Sequence, residues 1–120
     1  MIIAIGLDVI ELDRIRRVLE RHPERFLKRH FTEAEIGYCR TKANMIPSLA
    51  ARFTAKEAFQ KCWHTSHGWR DVWVEHRGVK PILRFSPDID RQMTQQGLVA
   101  HLSLTHGRDN AAAVVVLEQR

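Results

Sequence analysis

The 120-residue chain has a net charge of +5, from 19 Lys and Arg against 14 Asp and Glu, and 44% of its residues are hydrophobic. This length suits a single domain, residues 1–120, with a core of its own, and the composition excludes an intrinsically disordered chain. No apolar run approaches the ~20 residues of a membrane span and the first residues lack the basic region of a signal peptide, so we expect a cytoplasmic protein without a membrane partner. The positive charge favours an anionic partner without choosing among nucleic acid, nucleotide, lipid and acidic protein.

Hydrophobic periodicity and turn residues predict the elements of the chain in order. In the first half they are a strand over 2–8, a helix from about 10 to 23, a basic segment over 25–30, a helix over 32–40 that opens with a capping box, and a helix over 47–64 with a proline near its start. In the second half they are strands over 73–76 and 82–85, a short helix that begins near Ser86 and stops at Gly97, and a hairpin of strands over 99–105 and 111–117. The predicted fold is α+β, with helices packed on a mostly antiparallel sheet.

Two of the predicted strands, over 2–5 and 111–117, are apolar on both of their faces. Helices on one side of a small sheet would leave the second apolar face in contact with water. Because soluble monomers rarely expose a large apolar patch, we expect an oligomer that buries this face.

Asp8 is the first candidate for a functional residue, because it follows an apolar strand. Burying an unpaired carboxylate costs several kcal/mol, so we expect Asp8 to be exposed at the strand end, paired with a base, or bound to a metal. It could also serve as the N-cap of the helix that follows. The residues alone leave these alternatives open.

Glu57 is the second candidate and lies in the predicted helix over 47–64. Glu57 and Lys61 have the spacing of an ion pair on a solvated helix surface, worth only ~0.2–0.5 kcal/mol. Thr54 and Glu57 also match a capping box. Against these interpretations, little of the helix circumference is left for a purely solvated face, so a functional role for Glu57 stays equally open.

The polar face of the strand over 99–105 carries alternating Ser and Thr, flanked by His101 and His106. Ser103 could form a nucleophilic pair with a histidine, but no acidic residue that would orient the histidine is evident and the sequence has no nucleophile elbow. A contact between Ser103 and a phosphate or another ligand is the favoured hypothesis, beside an ordinary solvated face.

A stripe of arginines follows the first strand. Arg14, Arg17 and Arg21 share one face of the predicted helix, and Arg25 continues the basic character of the segment. Arginine pairs bidentately with carboxylate or phosphate. Because exposed aromatic residues are not interleaved with the stripe and no nucleic-acid-binding motif is present, an acidic protein helix is a better partner for it than nucleic acid.

Taken together, these residues resemble the short bacterial type of 4'-phosphopantetheinyl transferase, the holo-acyl-carrier-protein synthase family. Segment 6–14, GLDVIELDR, resembles the family's G-φ-D-φ-x-x-φ-x-R, and segment 53–61, FTAKEAFQK, resembles its F-[STA]-x-K-E-A-φ-x-K. Lys80-Pro81 and the LSLTH of 102–106 also fall where the family has similar residues. Val79 and Gly107 depart from the pattern, standing where the family has a glycine and an acidic residue.

The resemblance implies a reaction. In this family a serine hydroxyl of an apo acyl carrier protein attacks the β-phosphorus of coenzyme A, the 4'-phosphopantetheine arm is transferred and 3',5'-ADP leaves. It implies that Asp8 and Glu57 hold Mg²⁺, a hard ion that takes carboxylate, phosphate and water oxygens. Lys61 is implied as a catalytic phosphate contact, with Lys56 as a second one, and Glu57, directly or through a metal-bound water, as the base for the serine proton.

The resemblance also implies the remaining partners. Arg52, Ser103 and His106 would bind the nucleotide end of coenzyme A, and the surface formed by Arg14, Arg17, Arg21 and Arg25 (hereafter the arginine surface) would dock the acidic helix of the carrier protein. A homotrimer with active sites between subunits is implied as well, and fatty-acid biosynthesis is the pathway that this family commonly serves.

Two other functions are compatible with parts of the sequence. A basic domain that binds nucleic acid would account for the net charge and would be indifferent to Asp8. A Mg²⁺-dependent hydrolase that releases 3',5'-ADP to water would account for the carboxylates. The arginine surface argues against the hydrolase, because water needs no docking surface.

Overall fold

A computed structural model describes all 120 residues. The elements in chain order are β1 (Ile2–Glu11), α1 (Leu12–Arg21), α2 (Pro23–His30), α3 (Glu33–Arg40), α4 (Ile46–Cys62), β2 (Val72–Arg77), β3 (Lys80–Phe85), α5 (Pro87–Gln95), β4 (Leu98–His106) and β5 (Asn110–Gln119). Strands β1, β5 and β4 form one antiparallel sheet in that order, and β2 and β3 form a second antiparallel pair. The predicted α+β architecture is confirmed, and no helix is long and apolar enough to cross a membrane.

The structure differs from the prediction in two elements near the candidate site. Strand β1 continues to Glu11, so Asp8 lies inside the strand, opposite Ala113 of β5, and the N-cap of α1 is Glu11. The interpretation of Asp8 as a strand-end N-cap is therefore wrong. The predicted basic segment over 25–30 is helix α2, which begins with Pro23 at its first position, where proline is well tolerated.

Helix α4 is the central element and lies against the three-stranded sheet. Of its 17 residues, ten are buried, and they contribute to both hydrophobic clusters of the core. One cluster lies between α4, the β2–β3 pair and α5, and the other lies between α4, α1 and α2. The buried residues of α4 surround most of its circumference, which leaves the flank of Glu57 and Lys61 as its accessible side.

Gly6 lets β1 and α4 approach closely. A Cβ atom at this position would overlap the carbonyl oxygen of Ala58 and lie 2.9 Å from the Sγ atom of Cys62. Only glycine fits a backbone contact of this kind. Since Asp8 is two residues beyond Gly6, this contact sets the distance between Asp8 and the side chains of α4.

We predict that Gly6→Ala destabilises the protein by about 1–3 kcal/mol, because the added methyl group must push β1 away from α4. Urea denaturation measures the change. Gly37→Ala is the matched control: an added Cβ there meets no atom within 4 Å, and Gly37 lies inside α3, where alanine is the better helix former. The control should be neutral or stabilising, and an equal loss in both variants would contradict the role given to Gly6.

The face of the sheet that points away from α4 is apolar and uncovered in the single chain. Ile5, Leu7 and Val9 of β1 are 63%, 60% and 59% exposed. Val114 and Val116 of β5 are paired with Leu7 and Ile5 and lie on the same face. The predicted second apolar face of the sheet is thus confirmed for the single chain, and the oligomer expected to bury it stays a prediction.

Candidate functional site

Asp8, Glu57 and Lys61 form the candidate site, at the junction of β1 and α4. The Nζ atom of Lys61 donates to the carbonyl oxygen of Leu7 at 2.7 Å and to Oδ1 of Asp8 at 3.3 Å. Lys61 therefore bridges to β1, and the simple ion pair with Glu57 along the helix surface does not form. The Asp8 side chain is only 16% exposed, whereas that of Lys61 is 54% exposed and free to turn towards a ligand.

Glu57 lies in the middle of α4 and not at a helix start. Thr54 donates its hydroxyl to the carbonyl oxygens of Ala50 and Ala51 within the helix, at 3.1 and 2.9 Å. The capping-box interpretation of Thr54 and Glu57 is wrong for this reason. Glu57 therefore neither caps a helix nor forms the ion pair with Lys61.

The pKa of Glu57 reflects the charges that surround it. Partial burial raises the pKa of Glu57 above its ordinary value, and the neighbouring negative charge of Asp8 raises it further. Arg14 and Lys61 act in the opposite direction. The two carboxylates thus lie close enough to repel each other, as they would around a shared cation.

This donor set can be tested for its fit to a metal ion. No group of three or more His, Cys, Asp or Glu side chains converges anywhere in the structure. Structural zinc needs about four such ligands, whereas Mg²⁺ typically takes one or two carboxylates and completes its shell with phosphate oxygens and water. Asp8 and Glu57 therefore fit Mg²⁺ bound together with a phosphate-containing substrate.

Lys56 has a different environment from the one expected for a phosphate ligand. Its Nζ atom donates to Oε1 of Glu35 at 2.7 Å and to the carbonyl oxygens of Trp69 and Val72 at 2.9 and 2.8 Å. An ammonium group has three donors, so none is left for a phosphate. The side chain is 1% exposed, and the structure thus assigns Lys56 a structural role in place of the expected contact with coenzyme A.

Glu35 is the residue that the sequence did not single out. Its Oε1 atom accepts the N–H of Thr32 at 3.1 Å, and Thr32 in turn accepts the N–H of Glu35, so the predicted capping box of α3 is confirmed. Its Oε2 atom accepts the N–H of Val74 in β2 at 2.9 Å. The buried carboxylate of Glu35 therefore joins α3, α4 and β2. Burial lowers the pKa of Lys56, and the negative charge of Glu35 opposes that shift.

Arg52 and His106 line a pocket of about 230 Å³, on the side of α4 away from Glu57 and Lys61. Arg52 is 3% exposed, its guanidinium carbon lies 4.3 Å from the centre of the Tyr38 ring, and its Nε atom has no hydrogen-bond partner. Tyr38 is stacked on His76 with ring centres 4.8 Å apart. The Nη1 atom of Arg52 donates to the carbonyl oxygen of Ser48 at 3.2 Å. Arg52 therefore places a buried positive charge at this pocket, which can attract an anionic ligand.

Ser103 is not part of this pocket. It lies on β4 opposite Val114, on the uncovered face of the sheet. The structure therefore separates Ser103 from Arg52 and His106 within one chain. The turn that precedes Pro81 is formed by Gly78, with φ of +64°, and by Val79. Gly78, one residue before the position where the family has its glycine, therefore supplies the turn.

The four residues of the arginine surface are all exposed, three on α1 and one on α2. Arg17 forms an ion pair with Asp13 at 2.8 Å, whereas Arg14, Arg21 and Arg25 have no ion-pair partner. The charge of Arg14 lowers the pKa of Glu57, so the end of the arginine surface at Arg14 lies near the candidate site.

Comparisons with known proteins agree with this geometry. The sequence model of the 4'-phosphopantetheinyl transferase superfamily, ACPS, matches residues 4–116. The holo-[acyl-carrier-protein] synthase of Thermus thermophilus is 54% identical over 120 residues, which cover 100% of this chain and 96% of that protein. That of Deinococcus radiodurans is 52% identical over 126 residues, which cover 98% of this chain and 94% of that protein.

Solved structures extend the likeness to the fold. The holo-[acyl-carrier-protein] synthase of Neisseria meningitidis matches with a TM-score of 0.90 and 30% identity, over 99% of this chain and 100% of that chain. A holo-(acyl-carrier-protein) synthase of Bacillus anthracis in complex with CoA (3',5'-ADP) matches with a TM-score of 0.80 and 34% identity, over 100% of this chain and 99% of that chain. The chain therefore belongs to the holo-acyl-carrier-protein synthase family of the 4'-phosphopantetheinyl transferases.

Proposed function

We propose that this chain transfers the 4'-phosphopantetheine group of coenzyme A to a serine of an apo acyl carrier protein, with release of 3',5'-ADP, and that the reaction depends on Mg²⁺. The observation that carries the proposal is the junction of β1 and α4, where Asp8 and Glu57 repel each other beside Lys61 and next to the arginine surface. The complex of the Bacillus anthracis relative with CoA (3',5'-ADP) supports coenzyme A as the substrate.

Asp8 and Glu57 would hold the Mg²⁺ ion. When bound, the ion would neutralise the pyrophosphate of coenzyme A and stabilise the negative charge that develops on the leaving phosphate. Lys61 is the cationic side chain available for the same phosphates, because its 54% exposed side chain can exchange Asp8 and Leu7 for a ligand. Glu57 would accept the proton of the attacking serine hydroxyl, since the effect of Arg14 on the pKa of Glu57 indicates that this carboxylate lies near one end of the arginine surface.

The pocket of Arg52 and His106 would bind the nucleotide end of coenzyme A. Arg52 would supply positive charge for a phosphate, and the stacked rings of Tyr38 and His76 form part of the pocket wall. Lys42, whose ammonium lies 4.8 Å from the centre of the Tyr38 ring, adds positive charge at the same place. This assignment retains two of the expected nucleotide contacts and adds residues that no sequence pattern indicated.

A homotrimer would cover the apolar face of the sheet and complete the site. Ile5, Leu7 and Val9 form a continuous exposed row, which is unfavourable in water. Ser103 lies on this face, so it would contact a nucleotide only at a boundary between subunits. The uncovered face and the position of Ser103 support a trimer with active sites shared between subunits. If the partner is an acyl carrier protein, a cytoplasmic location and a role in fatty-acid biosynthesis would follow.

The arginine surface would dock the acidic helix of the carrier protein. We predict that Arg21→Glu, alone and with Arg14→Glu, raises the KM for the carrier at least about tenfold, because each change replaces an attraction by a repulsion. The affinity of Arg21→Glu for coenzyme A, measured by calorimetry, should change less than twofold. Arg91→Glu on α5, an exposed arginine outside this surface, is the control. A parallel loss of affinity for coenzyme A and carrier would contradict the division of roles.

The experiment that tests the proposed function follows the phosphopantetheine group to its acceptor. The protein is incubated with coenzyme A, Mg²⁺ and several apo carrier proteins, the carriers are weighed by mass spectrometry, and free 3',5'-ADP is measured by chromatography. Transfer gives a phosphopantetheine adduct on a carrier and 3',5'-ADP in equal amounts. Release of 3',5'-ADP without any adduct would identify a hydrolase and refute the transferase.

A further inference from the structure

His30, the last residue of α2, joins that helix to the neighbourhood of the candidate site. Its half-buried imidazole meets the indole of Trp69 edge-on with ring centres 4.8 Å apart, and its ring centre lies 5.5 Å from that of Phe53 in α4. Trp69 follows α4 in the loop before β2 and lines the same cavity as Glu57 and Lys61. The end of α2 therefore touches a residue that lies beside the two functional side chains of α4.

Helix α2 depends on contacts of this kind for its position. It has only eight residues, of which Phe26 and Leu27 are buried, and a helix of that length is not stable by itself in water. The rings of Phe26 and His30, one turn apart, have centres 4.8 Å apart, and Phe26 also stacks on Phe53 at 6.1 Å. Phe26, His30, Phe53 and Trp69 (hereafter the aromatic cluster) thus attach α2 to α4 and to the loop before β2.

The aromatic cluster also determines where part of the arginine surface lies. Arg25 stands on α2 directly before Phe26, whereas the other three arginines stand on α1. An acidic helix that contacts all four needs α1 and α2 in a fixed relation. Because a surface that is already ordered loses less conformational freedom on binding, a firmly held α2 favours carrier docking.

The contacts of His30 favour its neutral form. Its Nδ1–H donates to the carbonyl oxygen of Phe26 at 2.8 Å, since a carbonyl oxygen only accepts. Burial lowers the pKa of His30, the contact with the Phe26 carbonyl oxygen opposes that shift, and the positive charges of Arg29 and Lys56 add to it. The carboxylate of Glu35 is already paired with Lys56 at 2.7 Å.

The loop before β2 supplies no negative partner for the imidazole either. The charged residues that follow Trp69 are Arg70, a cation, and Asp71, whose Oδ2 atom accepts the N–H of Gly68 at 2.7 Å. A proton on the second ring nitrogen of His30 would therefore place a charge in a partly buried aromatic environment beside two cations, which is unfavourable.

We propose that His30 is a positioning residue for the transfer reaction, whose neutral imidazole holds α2 and its part of the arginine surface against Trp69, and that protonation of His30 weakens carrier docking. This inference rests on the proposed function. Well above pH 6.5, the ordinary pKa of histidine, His30 is neutral whether α2 is held or loosened. As the pH falls through 6.5, the loosened form takes up the proton first, so the held form loses stability.

The test measures carrier binding at two pH values with two variants of His30. Calorimetric titrations at about pH 7.5 and about pH 5.5 give the affinity of the full chain for an apo carrier protein. His30→Phe keeps an aromatic ring that cannot take up a proton, and His30→Ala removes the ring. His64→Ala, at an exposed histidine outside the aromatic cluster, is the control. Thermal unfolding at both pH values verifies that each variant is folded at the temperature of the titration.

We expect the unsubstituted chain and His64→Ala to bind the carrier at least about threefold more weakly at the lower pH. His30→Phe should match the unsubstituted chain within about twofold at the higher pH and lose less affinity on acidification, whereas His30→Ala should bind weakly at both pH values. The same loss on acidification in His30→Phe and in the unsubstituted chain, or full affinity of His30→Ala at the higher pH, would overturn the inference.

A failure of the proposed function gives a different result. If the unsubstituted chain binds no carrier at either pH, the docking role fails together with the proposed function. The thermal unfolding data then still test the contact itself, because His30→Phe should become more stable relative to the unsubstituted chain as the pH falls. An unchanged difference in unfolding temperature between the two proteins would refute the hold of neutral His30 on α2.

Discussion

Asp8→Asn and Glu57→Gln are expected to reduce transfer of phosphopantetheine by on the order of 10²–10³-fold each. Each substitution removes one of the two carboxylates that would hold Mg²⁺ against the pyrophosphate, while it keeps the size and shape of the side chain. The rate of adduct formation on the carrier protein measures the effect. The double variant should lose little more than either single variant, because the two residues act as one ligand set.

The same variants should remain folded. The pKa of Glu57 is raised by burial and by the charge of Asp8, so removing either charge relieves a repulsion in the ligand-free protein. We therefore expect the free energy of unfolding at neutral pH to stay within about 1 kcal/mol of the unsubstituted value. Asp88→Asn, an exposed carboxylate on α5, is the control for the loss of one negative charge and should keep full activity. Transfer at normal rates by Asp8→Asn would refute the metal site.

Lys56→Met is expected to lower the free energy of unfolding by about 3–5 kcal/mol, because it leaves the carboxylate of Glu35 buried without its partner. A loss of this size is a large part of the 5–15 kcal/mol that stabilises a typical domain. Urea denaturation measures it. The double variant Lys56→Met with Glu35→Gln should recover part of the loss, since the neutral amide of glutamine keeps an acceptor for Val74 or Thr32 without a buried charge.

Lys61→Met is the matched control for Lys56→Met. Lys61 is half-exposed, so its ion pair with Asp8 contributes less than about 1 kcal/mol. We expect Lys61→Met to slow transfer strongly with little effect on stability, and Lys56→Met to show the opposite order of effects. A stable Lys56→Met protein with slow transfer would contradict the structural role and would support the phosphate contact expected for Lys56 from the resemblance.

Most of the fold could be predicted because its signals are local. Alternation of apolar residues marks the β4–β5 hairpin, Gly97 with φ of +66° follows α5, and the capping box of Thr32 and Glu35 begins α3. The sequence does not predict helix α2, because its only buried residues are Phe26 and Leu27 and because Pro23 can mark either the end of one helix or the first residue of the next. A single sequence does not distinguish these two positions of proline.

The site could be predicted only in part, because its decisive contacts join distant segments. Asp8, Glu57 and Lys61 were found from motif and resemblance, and the structure brings them together. The partner of Lys56 is Glu35, 21 residues away, and a local pattern explains Glu35 completely as a capping residue. Nothing in the sequence marked Tyr38 as the residue against which Arg52 lies. Contacts between residues distant in the sequence decide whether a lysine beside a functional glutamate is exposed to ligands or is part of the core.

The central claim is that Asp8 and Glu57 bind Mg²⁺ together with the pyrophosphate of coenzyme A. Calorimetric titration of coenzyme A, with and without Mg²⁺, tests it most directly. If the two carboxylates share the ion with the substrate, Mg²⁺ raises the affinity for coenzyme A in the unsubstituted chain, and this increase disappears in Asp8→Asn and in Glu57→Gln. The same increase in the variants as in the unsubstituted chain would contradict the claim.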